Sequence, residues 1–82
     1  MKRSVSQDEL LETLNRELLN HGACDGCEFS GPVFALSEPD RDGCNWNRTA
    51  VILTCTGHAA GACRGVAYRI IDQVARRYNL AP

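Results

Sequence analysis

Two short pairs of metal-binding residue types, Cys24-Asp25-Gly26-Cys27 and Cys55-Thr56-Gly57-His58, bracket a segment patterned like a β-hairpin. The two-residue gap within each pair lets a tight turn aim both side chains at one ion. A hairpin would also bring the pairs together at its open end, where the start of its first strand lies beside the end of its second. Four candidate ligands converging on one point is a strong condition on any fold of this chain.

The hairpin is read from two apolar runs and the turn between them. The first strand spans about 29–37 and contains Val33-Phe34-Ala35-Leu36, with Pro32 marking it as an edge or a late start. The second spans about 46–55 and contains Ala50-Val51-Ile52-Leu53, β-branched and short. Glu38-Pro39-Asp40-Arg41-Asp42-Gly43-Cys44-Asn45 between them is dense in turn residues. Centring the reversal near Asp42 sets Phe29 opposite Cys55 and Cys27 near Gly57. Cys44 then falls at the far tip, about 30 Å from the open end at about 3.3 Å per residue.

Helices flank this hairpin. The first, about 6–20, opens with a Ser6–Glu9 capping box, and Val5 and Leu10 are spaced as a hydrophobic staple. Leu10, Leu11, Leu14, Leu18 and Leu19 recur at helical steps, and Glu12 can pair with Arg16 one turn later. Asn20-His21-Gly22 is the expected stop, with Gly22 left-handed. The last helix, about 58–78, carries the apolar stripe Val66, Ala67, Ile70, Ile71, Val74 and Tyr78.

These elements define a single small α+β domain over residues 1–82, in αββα order, with a two-stranded antiparallel hairpin packed on two helices. Both strand runs are apolar on consecutive positions, and a lone two-stranded sheet is marginal in water. A homodimer that joins or stacks two such sheets is therefore expected. At 82 residues the core is modest, and a metal ion or a partner would strengthen it.

Five cysteines, an odd number, leave one unpaired in any intramolecular disulfide scheme. The polar start Met1-Lys2-Arg3-Ser4-Val5-Ser6-Gln7-Asp8-Glu9 has no secretory apolar run, and no stretch reaches the length of a membrane span. These features predict a cytoplasmic protein with reduced thiols. Charge is polarised: residues 17–47 hold six acids against Arg41, and residues 48–82 hold five arginines against Asp72. A net charge of −1 argues against a dedicated nucleic-acid binder, leaving Arg64, Arg69, Arg76 and Arg77 on the last helix as a weak candidate face.

For function, the first reading is a non-catalytic interaction module without cofactor, whose cysteines are small core hydrophobes. The second is a zinc-stabilised domain with Cys24, Cys27, Cys55 and His58 as ligands and Cys63 or His21 as alternates. A thiol-based redox or cysteine-nucleophile enzyme ranks third. Cys24 and Cys27 follow a helix and precede a strand, so no helix N-terminus lowers their pKa. No third residue orients a pairing of His58 with Cys55 or Cys63. Gly57, Gly61 and Gly65 suggest close helix packing ahead of an anion site, because no lysine follows as in a P-loop. The acidic turn at 38–43 has Thr49 where a calcium loop needs a bidentate glutamate.

Overall fold

The computed structural model describes residues 2–57 and 59–82, so His58 lies outside the described residues. The fold is α+β: β1 (Arg3–Val5), α1 (Gln7–Leu19), β2 (Cys27–Ser30), β3 (Ile52–Cys55), α2 (Ala59–Arg77) and β4 (Tyr78–Leu80). β2 and β3 pair antiparallel, while β1 and β4 form a separate parallel pair.

α1 begins where its cap dictates. The Ser6 hydroxyl accepts from the Glu9 N–H at 3.2 Å, and Val5 and Leu10 on either side of the cap are both buried. Leu10, Leu14 and Leu18, four residues apart, form the buried seam, whereas Leu19 points outward at 86% exposure. The helix does not end on a left-handed glycine. Asn20 caps it in right-handed conformation, its N–H and that of His21 closing on the Glu17 and Leu18 carbonyls. Gly22 instead opens a 3-10 turn, Gly22–Cys24, that carries the chain inward and buries Cys24.

The strands are shorter than their apolar runs. β2 starts at Cys27 and stops at Ser30, directly before Gly31-Pro32. Beyond it Val33 turns into the core with its N–H on Gln7 Oε1 at 2.9 Å and Phe34 is 55% exposed. The arms then meet in an isolated antiparallel bridge, Ala35 with Trp46, where the Leu36 N–H donates to the Asn45 carbonyl and the Asn47 N–H to the Phe34 carbonyl, each at 2.8 Å. The chain does reverse near Asp42, where Asp40 N–H bonds the Cys44 carbonyl and Gly43 N–H the Asp40 carbonyl, each at 2.9 Å. A 3-10 turn at Arg48–Ala50 then interrupts the returning arm before β3. At the open end Cys27 faces Cys55 and Phe29 faces Leu53, two residues away from the expected register.

Burial alternates along both strands. Cys27, Phe29, Leu53 and Cys55 point inward, and Glu28, Ser30, Ile52 and Thr54 point outward or lie at the margin. Of the outer residues only Ile52 is a large apolar side chain, and it is 56% exposed. That face therefore lacks the continuous apolar surface from which a stacked second sheet was expected.

The two chain ends close the molecule through the parallel pair, Arg3 facing Tyr78 and Val5 facing Leu80, in a contact the sequence pattern did not suggest. Asn45 seals one side of it, accepting from the Leu80 N–H at 2.8 Å and donating to the Leu80 carbonyl at 2.9 Å. Trp46, wholly buried, donates its indole N–H to the Tyr78 carbonyl at 3.1 Å. On α2, Cys63, Ala67, Ile70, Ile71, Val74 and Ala75 enter the same core as the α1 leucines.

Candidate four-sulfur site

Three pieces of chain deliver four sulfurs to one end of the β2–β3 pair. Cys24 closes the 3-10 turn after α1, and Cys27 begins β2 three residues later. Between them Gly26 adopts φ +80°, which turns the chain sharply enough to put both side chains on one side. A Cβ on Gly26 would stand 2.6 Å from Thr56 Oγ1, so any other residue would have to displace that side chain as well as hold a left-handed backbone. Cys55 ends β3, and Cys63 is buried in the first turns of α2.

Thr56 clamps this geometry without using sulfur. Its N–H donates to the Gly26 carbonyl at 3.0 Å and its hydroxyl to the same oxygen at 3.3 Å. That bond continues the β2–β3 ladder one step beyond Cys27 and Cys55, whose Cα atoms stand 3.9 Å apart. The packing of the Gly22–Cys24 turn on α2 brings Cys24 and Cys63 to a Cα separation of 4.7 Å.

The sulfurs pair as two disulfides, Cys24–Cys63 and Cys27–Cys55. The expected reduced thiols are corrected at these four positions: facing cysteines at such short separations bond to each other. The bridges touch, because the sulfurs of Cys27, Cys55 and Cys63 all lie within 4.8 Å of one another. They are also nested, spanning 39 and 28 residues. Chain-entropy reasoning gives about 4 kcal/mol for the outer bridge and about 3 for the inner, which then closes a ring of about a dozen residues. That is a large share of the roughly 5–15 kcal/mol that holds a domain together.

Of the residues expected as ligands, Cys24, Cys27 and Cys55 lie together with Cys63, an alternate, but their sulfurs are bonded to one another as disulfides. His21 is exposed, on the rim of a small cavity of about 170 Å³ that also touches Cys24 and Cys27. His58 lies outside the described residues. The spacing of Cys63 did contain a signal: α2 follows β3 so closely that its first turns must remain beside the Cys55 end.

Cys44, the fifth cysteine, is fully buried and its thiol donates to the Trp46 carbonyl at 3.3 Å. Burial pushes this thiol above its ordinary pKa, with Asp40 adding in the same direction. The turn residues Glu38, Pro39, Arg41, Asp42 and Gly43 are exposed, and Arg48 ties the turn to α2 by gathering Asp40 at 2.9 Å, Asp42 at 3.2 Å and Asp72 of α2 at 3.1 Å. The odd cysteine count thus carries no message about redox state.

A groove of about 610 Å³ runs between α2 and the Arg48–Leu53 stretch. Phe29, Val51, Leu53, Ala67 and Ile71 give it apolar walls, with exposed Tyr68 and Arg64 beside them. The four arginines of α2 do not make one stripe. At about 100° per residue Arg69 and Arg76 share a side, while Arg64 lies more than about 100° around the helix, at the groove. Gly57, Gly61 and Gly65 do not serve close packing: a Cβ at any of them would meet nothing within 4 Å.

Among the described residues no helix is long and apolar enough to cross a membrane. In comparison with known proteins, the chain matches no family model, no curated protein and no solved structure.

Proposed function

We propose that this protein is a small non-catalytic binding module that takes an extended peptide segment along the outer edge of β3. One observation carries the reading: the edges of the small sheets are treated unequally. The outer edge of β2 is occupied, with the Asn15 amide accepting the Phe29 N–H at 2.7 Å and donating to its carbonyl at 3.1 Å. β4 is sealed in the same way by Asn45. In an antiparallel pair, bonding alternates, so residues facing Phe29 and Cys27 turn their own N–H and C=O groups away from β2. Those residues are Leu53 and Cys55, and no partner for their outward backbone groups is found among the described residues.

An added strand would supply those partners, giving affinity through main-chain bonds and selectivity through side chains placed in neighbouring pockets. The groove beside β3 offers such a pocket, with Val51, Leu53 and Ile71 for an apolar side chain and Arg64 for an acidic one. The same edge suits a second copy of the chain. Ile52-Leu53-Thr54-Cys55 has neither charge nor proline to discourage self-pairing, and a two-fold β3–β3 contact would give a four-stranded sheet.

The test is a peptide-display selection, followed by NMR mapping of the selected peptides on the labelled chain. Binding should shift the Leu53 and Cys55 amides, slow their exchange and be lost in Ile52→Lys. Shifts centred on Arg69 and Arg76 would reject this reading. Sedimentation over a wide concentration range distinguishes self-pairing from peptide capture.

A further inference from the structure

We infer that the four-sulfur cluster is also a metal site: once reduced, Cys24, Cys27, Cys55 and Cys63 hold one zinc ion as an all-thiolate set. This inference is independent of the β3 edge. It starts from geometry: two touching disulfides gather four sulfurs at one point, and reducing conditions open such bonds. The question is what four thiols gathered at one point would then do.

The scaffold keeps them gathered. The Thr56 N–H and hydroxyl bonds to the Gly26 carbonyl, the β2–β3 register and the packing of Cys63 in the core are all made by groups other than the S–S bonds. The ligand arrangement is that of a closed structural site, with two sulfurs from a glycine-containing Cys-x-x-Cys turn, one from a strand end and one from a helix. Neither bridge joins Cys24 to Cys27; each sulfur of that turn faces a cysteine from another element.

Distances agree. A tetrahedron with Zn–S bonds of about 2.3 Å has sulfurs about 3.8 Å apart. The sulfurs of Cys27, Cys55 and Cys63 already lie within 4.8 Å of one another, and Cys24 is bonded to Cys63. With three or four thiolates the set prefers a soft-to-borderline ion over magnesium or calcium.

Each disulfide accepts two electrons and two protons, giving four thiols in all. In the assay below, a water-soluble phosphine supplies the electrons; it leaves as its oxide, with oxygen and protons from water. Zinc then displaces four protons from the thiols to the buffer, so its binding energy becomes folding energy in place of the lost bridges.

The experiment uses the full chain, reduced with the phosphine under anaerobic conditions and titrated with cobalt(II) and then zinc(II). The expected result is one cobalt per chain with the intense ligand-field bands of a tetrahedral thiolate site, and bleaching by one equivalent of zinc. The oxidised chain should show neither. Cys63→Ser should weaken cobalt binding at least about 100-fold and shift the bands, while Cys44→Ser, His21→Ala and His58→Ala leave them in place. Circular dichroism of the reduced chain with and without zinc covers the case in which a variant does not fold. Three outcomes would overturn the inference: a reduced, folded chain without tetrahedral bands, bands indifferent to Cys63→Ser, or a reduced chain that stays unfolded in zinc.

Discussion

The side-chain amide of Asn15 grips both backbone groups of Phe29, accepting its N–H at 2.7 Å and donating to its carbonyl at 3.1 Å. One asparagine on α1 thereby stands in for a missing strand along β2. The pair also couples helix to sheet, because Asn15 follows Leu14 of the buried seam and Phe29 is itself in the core. Asn15→Leu keeps the approximate volume and removes both bonds. Stranding the backbone groups of Phe29 in a half-buried site should cost about 2–3 kcal/mol. Urea unfolding of the oxidised chain reads that loss directly. The newly open β2 edge should also raise the tendency to self-associate, visible by light scattering.

Arg48 decides whether the acidic tip belongs to the fold. Although burial opposes ionisation, the N–H groups of Cys44 and Asp42, together with Arg48, hold the Asp40 carboxyl below the ordinary aspartate range. A carboxyl depressed on folding adds stability above its unfolded pKa, and that stability disappears as pH falls through the lower folded value. Acid should therefore weaken the native chain from about pH 4 downward, near the ordinary carboxylate pKa. In Arg48→Met the acid limb should be shallower, because part of what depresses Asp40 has gone. Denaturant midpoints measured across that interval make the comparison.

The legible parts of this molecule are those in which a local signal matches the tertiary contact. The Ser6–Glu9 box and the four-residue spacing of Leu10, Leu14 and Leu18 specify α1, and the stripe through Ala67, Ile70, Ile71 and Val74 specifies the inner face of α2. The meeting of Cys24, Cys27 and Cys55 followed from the reversal near Asp42. Their pairing did not, because the two arms are discontinuous. Gly31-Pro32 ends β2, and the 3-10 turn at Arg48–Ala50 alters the returning arm, so register counted from the tip does not reach the base intact. β1 and β4 were hidden for another reason. Three residues each are too few to show alternation, and their partner lies at the opposite end of the sequence.

The cysteines separate by accessibility in a single labelling series. Native, unreduced chain treated with iodoacetamide should take up no label, since Cys44 is buried and the other four are bonded. Unfolding in denaturant without reductant should expose one thiol, Cys44. Denaturant plus reductant should expose all five cysteines of the chain. Intact mass spectrometry counts these additions, and a native chain that gains four or more was reduced from the start. Peptide mapping of the non-reduced digest should link Cys24 to Cys63 and Cys27 to Cys55; a Cys24–Cys27 link would contradict the structure.

Glycine substitutions should act in opposite directions at two places. Gly61 and Gly65 lie within α2, both exposed, and a Cβ at either would meet nothing within 4 Å. In a helix interior glycine costs about 1 kcal/mol relative to alanine, largely through the freedom it has in the unfolded chain. Gly61→Ala and Gly65→Ala should each stabilise by about 0.5–1 kcal/mol, and the pair should be close to additive. Gly26→Ala should do the reverse. Its φ of +80° is unfavourable for any other residue, and the added methyl would meet Thr56 Oγ1 at 2.6 Å. Displacing Thr56 frees the clamp at the cysteine cluster, so the loss should exceed either gain. Thermal unfolding of the three oxidised variants settles the matter: a drop for Gly61→Ala or Gly65→Ala would mean that another surface covers that side of α2.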